Sequence, residues 1–122
     1  LFVGDAEEPT EKRLLEHPAE LATDVLKVAH HGSKHATTPA FLAAAAPKIA
    51  VVSCATGNDY GHPHKPTLDR LAGRGATVYR TDLHGDVTIE SGDYGLTVFT
   101  EKRPDPAAVR EPGARTTGRD AP

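Results

Sequence analysis

Val25-Leu26-Lys27-Val28-Ala29-His30-His31-Gly32-Ser33 is the stretch from which the rest of this chain is read. Residues 25–29 are a short apolar run of the kind that forms a buried strand. The run ends on two imidazoles and a glycine that frees the backbone. A second apolar run, Leu1-Phe2-Val3, ends on Gly4-Asp5. Two strand ends therefore each carry a side chain able to bind a metal or move a proton. Adjacent residues leaving an extended strand point in opposite directions, so only one of His30 and His31 is expected to reach a given ion.

Outward from this stretch the pattern is layered. Glu7 to His17 reads as a helix with Leu14 and Leu15 inward and acids ahead of bases, the order the helix dipole prefers. Thr38 is an N-cap and Pro39 a first helical residue for a helix over 39–46. Ile49–Ser53 is a continuous apolar run, the mark of a strand covered on both faces. Thr67–Ala72 is a third helix and Thr77–Tyr79 a further strand. Asp86–Glu90 and Leu96–Thr100 flank a turn-rich segment and read as an antiparallel hairpin. The order β-α-β-α-β-α-β, then β-β, predicts an α/β fold. Residues 1–101 are expected to form the domain, and 102–122, rich in Pro, Arg, Asp, Gly and Ala, a disordered tail or linker.

Bulk properties set limits. The chain has 122 residues, 38% of them hydrophobic, and a net charge of −3. The charge carries no global basic signature of a nucleic-acid binder, though a local basic rim is compatible with it. The single cysteine, Cys54, excludes an internal disulfide and a Cys-rich zinc site, and it reads as a packed thiol. No apolar run is long enough to span a membrane. The chain opens on a strand-like segment with no initiator Met and no signal peptide, so a piece of a larger protein is expected.

Five of the seven histidines (His30, His31, His35, His62 and His64) lie in two polar loops that follow strands. Ligands of layered α/β folds gather at such strand ends. A carboxylate with imidazoles suits Zn²⁺ or Mn²⁺. Period-two spacing in His62-Pro63-His64 places both rings on one face if the backbone is extended, where they can donate protons or bind phosphate. Ser33 reads as a turn residue, His84 as part of a tight connection and His17 as a helix end.

Taken together, Leu1-Phe2-Val3-Gly4-Asp5, Asp24 through Ser33, Asn58-Asp59-Tyr60-Gly61-His62-Pro63-His64 and Ala76 through Asp86 resemble the metallo-β-lactamase-fold domain at the C-terminus of ComEC/Rec2 competence proteins. The resemblance runs in order over residues 1–100. It implies the second half of an αββα sandwich: a mixed sheet with flanking helices and a C-terminal β-hairpin. It implies two divalent metal ions, Zn or Mn, in the intact parent, with Asp5 and His31 as metal ligands. His30 stands beside the substrate; which of His30 and His31 is the ligand stays open, with His31 favoured. His62, and more weakly His64, would contact phosphate or transfer a proton.

One departure is large. The superfamily's His-x-His-x-Asp-His motif is absent, and His62-x-His64 continues into Lys65-Pro66. The chain is therefore expected to carry half a site, to be inactive alone and to expose a sheet edge through which it self-associates. The resemblance implies a hydrolase of phosphodiesters acting on DNA during uptake, in a membrane-embedded parent with this domain outside the cytoplasm. Two rivals remain: a stand-alone hydrolase of small phosphoesters or lactones, and a non-catalytic, partner-binding segment.

Overall fold

A computed structural model describes residues 1–112. The fold is α/β, as expected. Helix α1 (Glu8–Leu14) is followed by a 3-10 turn over Pro18–Leu21, strand β1 (Val25–Lys27), helix α2 (Pro39–Ala45), strand β2 (Ile49–Val52), helix α3 (Lys65–Gly73) and strand β3 (Thr77–Arg80). A short helix α4 (Thr81–His84) then leads into the hairpin strands β4 (Val87–Gly92) and β5 (Gly95–Thr100). The three-stranded sheet is wholly parallel, and the C-terminal β-hairpin expected from the sequence forms a sheet of its own. β1, β2 and β3 pair in parallel in chain order, and β4 pairs with β5 antiparallel.

Parallel neighbours need a crossover between them, and α2 and α3 provide it. Thr38 caps α2, its hydroxyl accepting from Phe41 N–H at 3.3 Å. The helix ends where Ala46 turns left-handed, at φ 43°. Helix α1 stops earlier than expected. Its last turn tightens through bonds from Glu16 N–H to Arg13 O and from His17 N–H to Leu14 O, both 3.1 Å, and Pro18 cannot extend the ladder. The expected first strand is reduced to one bridge, Phe2 with Lys27, because Gly4 turns the chain at φ 57°. Even so, Leu1 is tied to β1 by Lys27 N–H to Leu1 O at 2.9 Å.

The core lies on one face of the parallel sheet. Leu26, Val28, Ala50 and Val52 are fully buried against Phe41, Leu42, Ala45 and Leu71. Burying each such large side chain contributes about 1.5–3 kcal/mol relative to leaving it in water. Strand β2 was expected to be covered on both faces, but its burial alternates, with Ile49 and Val51 only half-buried. Val51, with Leu1, Phe2, Val25 and the hairpin residues Val87, Ile89 and Leu96, lines an apolar cleft of about 420 Å³. One covered face explains the alternation better than two.

The segment after β5 lies against the domain over its described part. Lys102 N–H donates to His84 O at 2.8 Å, and Val109 is buried. The fully buried Arg80 reaches it, Nη1 donating to Val109 O at 3.0 Å and to Glu111 O at 2.7 Å. The expected tail over 102–122 is therefore attached through residue 111, while 113–122 lie outside the described residues. One Val among prolines and charges gave no sign of this in the sequence. Among the described residues, no helix is long and apolar enough to cross a membrane.

Candidate functional site

The site is built at the carboxyl ends of β1 and β2. After β1 the chain does not continue extended. His30 (φ 47°, ψ 47°) and His31 (φ 55°, ψ 26°) are both left-handed, followed by Gly32 at φ 83°. Left-handed non-glycine backbone costs roughly 1–2 kcal/mol per residue, and such strain is a marker of functional turns. This corrects the expectation that the two rings diverge. The curl sets them on a common side, with ring centroids 6.2 Å apart. His62 completes the group at 5.7 Å from His30 and 6.2 Å from His31.

His30 and His31 are each oriented by Nδ1. His30 Nδ1–H donates to Glu7 Oε1 at 2.8 Å, and His30 N–H donates to Gly4 O at 3.0 Å. His31 Nδ1–H donates to Ser53 O at 2.7 Å. With a carboxylate and a carbonyl as partners, Nδ1 carries the proton of each ring in its neutral form, which leaves the lone pair on Nε2. A backbone carbonyl behind Nδ1 is the usual outer partner of a metal-binding imidazole.

His64 differs. Its Nδ1 accepts from Lys34 N–H at 2.9 Å and its Nε2–H donates to Tyr60 O at 3.1 Å. Both nitrogens are engaged, so His64 braces the two loops. The rings of His62 and His64 do meet, at 4.7 Å edge to face. His62 is positioned through its backbone by Asn58, which accepts from His62 N–H at 3.0 Å and donates to His62 O at 2.7 Å. Gly32 permits the close approach of the loops: Gly32 O accepts from His64 N–H at 2.9 Å, and a Cβ on Gly32 would lie 2.5 Å from Pro63 Cβ.

Asp5 is exposed, on a turn tied to the histidine turn through Gly4 O. Among the described residues, no three His, Cys, Asp or Glu side chains are arranged to hold a metal ion. Asp5 and His31 thus offer donors of the right chemistry without closing a site. Ser33 serves the turn, its hydroxyl accepting from His35 N–H at 3.2 Å. His84 stands apart, buried under Tyr79, with its Nδ1 accepting from Arg80 N–H at 2.9 Å. Burial, and then the Asp82 carboxylate, push the Cys54 thiol up to about 12, so it stays protonated and packed.

Glu7 and Asn58 were not singled out from sequence for these roles. Glu7 was hidden among the wet-face acids of the first helix. Asn58 stood in a loop where an Asx turn was available as a signal.

His62 and His84 are both held below the ordinary imidazole value. Desolvation leads for His62, followed by the neighbouring charges of His64, His30 and His31; burial leads for His84. The unfolded chain takes up these protons near pH 6.5, and the native chain only at lower pH. Stability therefore rises with pH across that window and falls on acidification. A thermal melt between pH 7 and pH 5 should show a falling midpoint, with a shallower fall in His84→Gln. A midpoint that holds steady or rises would contradict the assignment.

Three curated proteins are similar to the chain. ComE operon protein 3 of Bacillus subtilis (strain 168) is 37% identical over 87 residues, 71% of this chain and 11% of the relative. Competence protein ComA of Neisseria gonorrhoeae is 33% identical over 97 residues, 79% of this chain and 14% of the relative. This chain belongs to the ComEC/Rec2 family of competence proteins. A third relative, Recombination protein 2 of Haemophilus influenzae (strain ATCC 51907 / DSM 11121 / KW20 / Rd), is 33% identical over 89 residues, 73% of the chain and 11% of its own length. The chain thus spans well under two thirds of these ComEC/Rec2 relatives. No protein-family model matches it, and no solved structure does.

Proposed function

We propose that this chain contributes half of the active site of a metal-dependent phosphodiesterase that acts on DNA during uptake, within a membrane-embedded competence-type protein. The domain would lie outside the cytoplasm. The observation that carries the reading is the convergence of His30, His31 and His62, with Nδ1 of His30 and of His31 tied back so that each Nε2 is open. Family membership supports DNA as the substrate, and the sequence resemblance supports the metallo-β-lactamase fold.

In this reading His31 Nε2 and the Asp5 carboxylate are donors to a divalent ion, Zn²⁺ or Mn²⁺, and the remaining donors come from outside the described residues. The ion would supply Lewis acidity toward a phosphodiester oxygen. The chain's own residues orient and move protons. Glu7 holds His30 in one tautomer. His62, its pKa lowered first by desolvation, stays available as a neutral proton acceptor.

Paramagnetic Mn²⁺ titration of the chain, followed by NMR, tests the reading. Resonances of Asp5, His30 and His31 should broaden first, and the effect should vanish in Asp5→Asn/His31→Asn. Broadening spread evenly over exposed acids such as Glu8, Glu16 and Asp24 would overturn the ligand assignment. Metal-dependent phosphodiesterase activity of the chain alone would refute its being half a site.

A further inference from the structure

Tyr60 is 77% exposed, yet it is among the most tightly placed residues of its loop. Its N–H donates to Asn58 Oδ1 at 3.1 Å and its carbonyl accepts from His64 Nε2–H at 3.1 Å. Asn58 is itself fixed by Nδ2 donating to Ala55 O at 3.0 Å and to His62 O at 2.7 Å. The Tyr60 ring lies 5.6 Å from the His62 ring with 21° between their planes, and His62 lies 6.2 Å from His31 with 24° between theirs. Tyr60, His62 and His31 thus form an offset row of rings, exposed at both ends and half-buried at His62, that ends at His31. The other exposed tyrosine, Tyr94, sits in the turn at the tip of the hairpin, between the paired Gly92 and Gly95.

Fixing the main chain beneath an exposed aromatic ring, and laying that ring on a neighbour, costs conformational freedom and returns little hydrophobic gain. A ring so held is preorganised for a planar ligand. We infer that Tyr60 is a stacking platform for a nucleobase of single-stranded nucleic acid, seating the strand so that its phosphodiester lies beside His62.

Two features fix the ligand class. A base in a duplex is already stacked on its neighbours, so only an unpaired base offers a free face to the ring. The rim also lacks the charge to hold a backbone by counterion release alone. Lys34 meets the row only through its main-chain N–H to His64 Nδ1 among the described contacts, Lys65 is paired with Asp69 at 3.2 Å, Asp59 flanks Tyr60, and the chain is net negative. Stacking must therefore supply most of the grip, and binding should depend only weakly on salt.

The inference rests on the nucleic-acid reading above, and the test separates the two. Fluorescence anisotropy with the full chain in EDTA would compare a labelled oligothymidylate with an abasic strand of equal length, at low and moderate salt. The wild type should prefer the base-bearing strand. Tyr60→Ala should weaken that binding by about 5- to 150-fold, the range for loss of one base–aromatic stack, and should no longer tell the strands apart. Tyr60→Phe should keep the preference. The bonds that hold the loop are made by main-chain atoms of Tyr60, so unchanged thermal melts are expected for both variants. Equal binding of both strands by the wild type, or full binding by Tyr60→Ala, overturns the platform and leaves the nucleic-acid reading standing. No binding of either strand overturns both.

Discussion

Replacing Arg80 by methionine is expected to cost the fold about 3–5 kcal/mol, the range for breaking a buried ion pair. The Arg80 side chain is fully buried and Asp82 is 7% exposed. The guanidinium meets the carboxylate with both arms, Nε to Oδ1 at 3.0 Å and Nη2 to Oδ2 at 2.6 Å. Methionine fills much of the volume but leaves a buried carboxylate without its partner. The carbonyls of Val109 and Glu111 also lose their donor. Since small domains are stable by only about 5–15 kcal/mol, the loss would be a large part of the total. Urea denaturation measures it. Arg80→Met/Asp82→Leu should recover part of the loss, because the stranded carboxylate is gone. A single variant that unfolds within about 0.5 kcal/mol of wild type would show that the pair is not structural.

The second large effect is expected at Gly32→Ala. Its φ of 83° lies where an L side chain is strained, and that alone costs roughly 1–2 kcal/mol. The new methyl would also meet Pro63 Cβ at 2.5 Å and Pro63 Cα at 3.0 Å. Backbone on the far side cannot give way as a flexible side chain could, so the loop carrying His62 must move, adding about 1–3 kcal/mol of overpacking. The sum is about 2–5 kcal/mol, with a local signature. Imidazole resonances of His62 and His64 should shift while those of His84, packed on Tyr79 of β3, stay in place. Unshifted His62 and His64 in a folded Gly32→Ala would show that the two loops do not depend on this contact.

Much of this was legible in the sequence because it is written in local chemistry. The apolar runs located β1, β2 and β3, Thr38-Pro39 fixed the start of α2, and the clustering of histidines after strands marked the right end of the sheet. What was not legible depends on contacts distant in the chain. No periodicity announces that Arg80 will reach Val109, or that Glu7 will turn from solvent toward His30. The rings of His30 and His31 were misdirected because extended geometry was assumed up to Gly32, whereas the left-handed turn begins two residues earlier. Likewise, continuous apolarity in β2 suggested two covered faces. The same pattern arises when one face meets helices and the other a cleft.

The left-handed turn also governs which substitutions can be interpreted. Alanine at position 30 or 31 would remove an imidazole and at the same time weaken the backbone conformation that places its neighbours. Asparagine is among the residues most often found there without a glycine's freedom. It deletes the ring while tolerating the fold of the turn. An alanine scan of this loop would therefore exaggerate the importance of each histidine, and valine or isoleucine would do so further. Asparagine replacements separate the work of the ring from the work of the main chain, and the difference between the Asn and Ala variants at one position reads out the strain held in that turn.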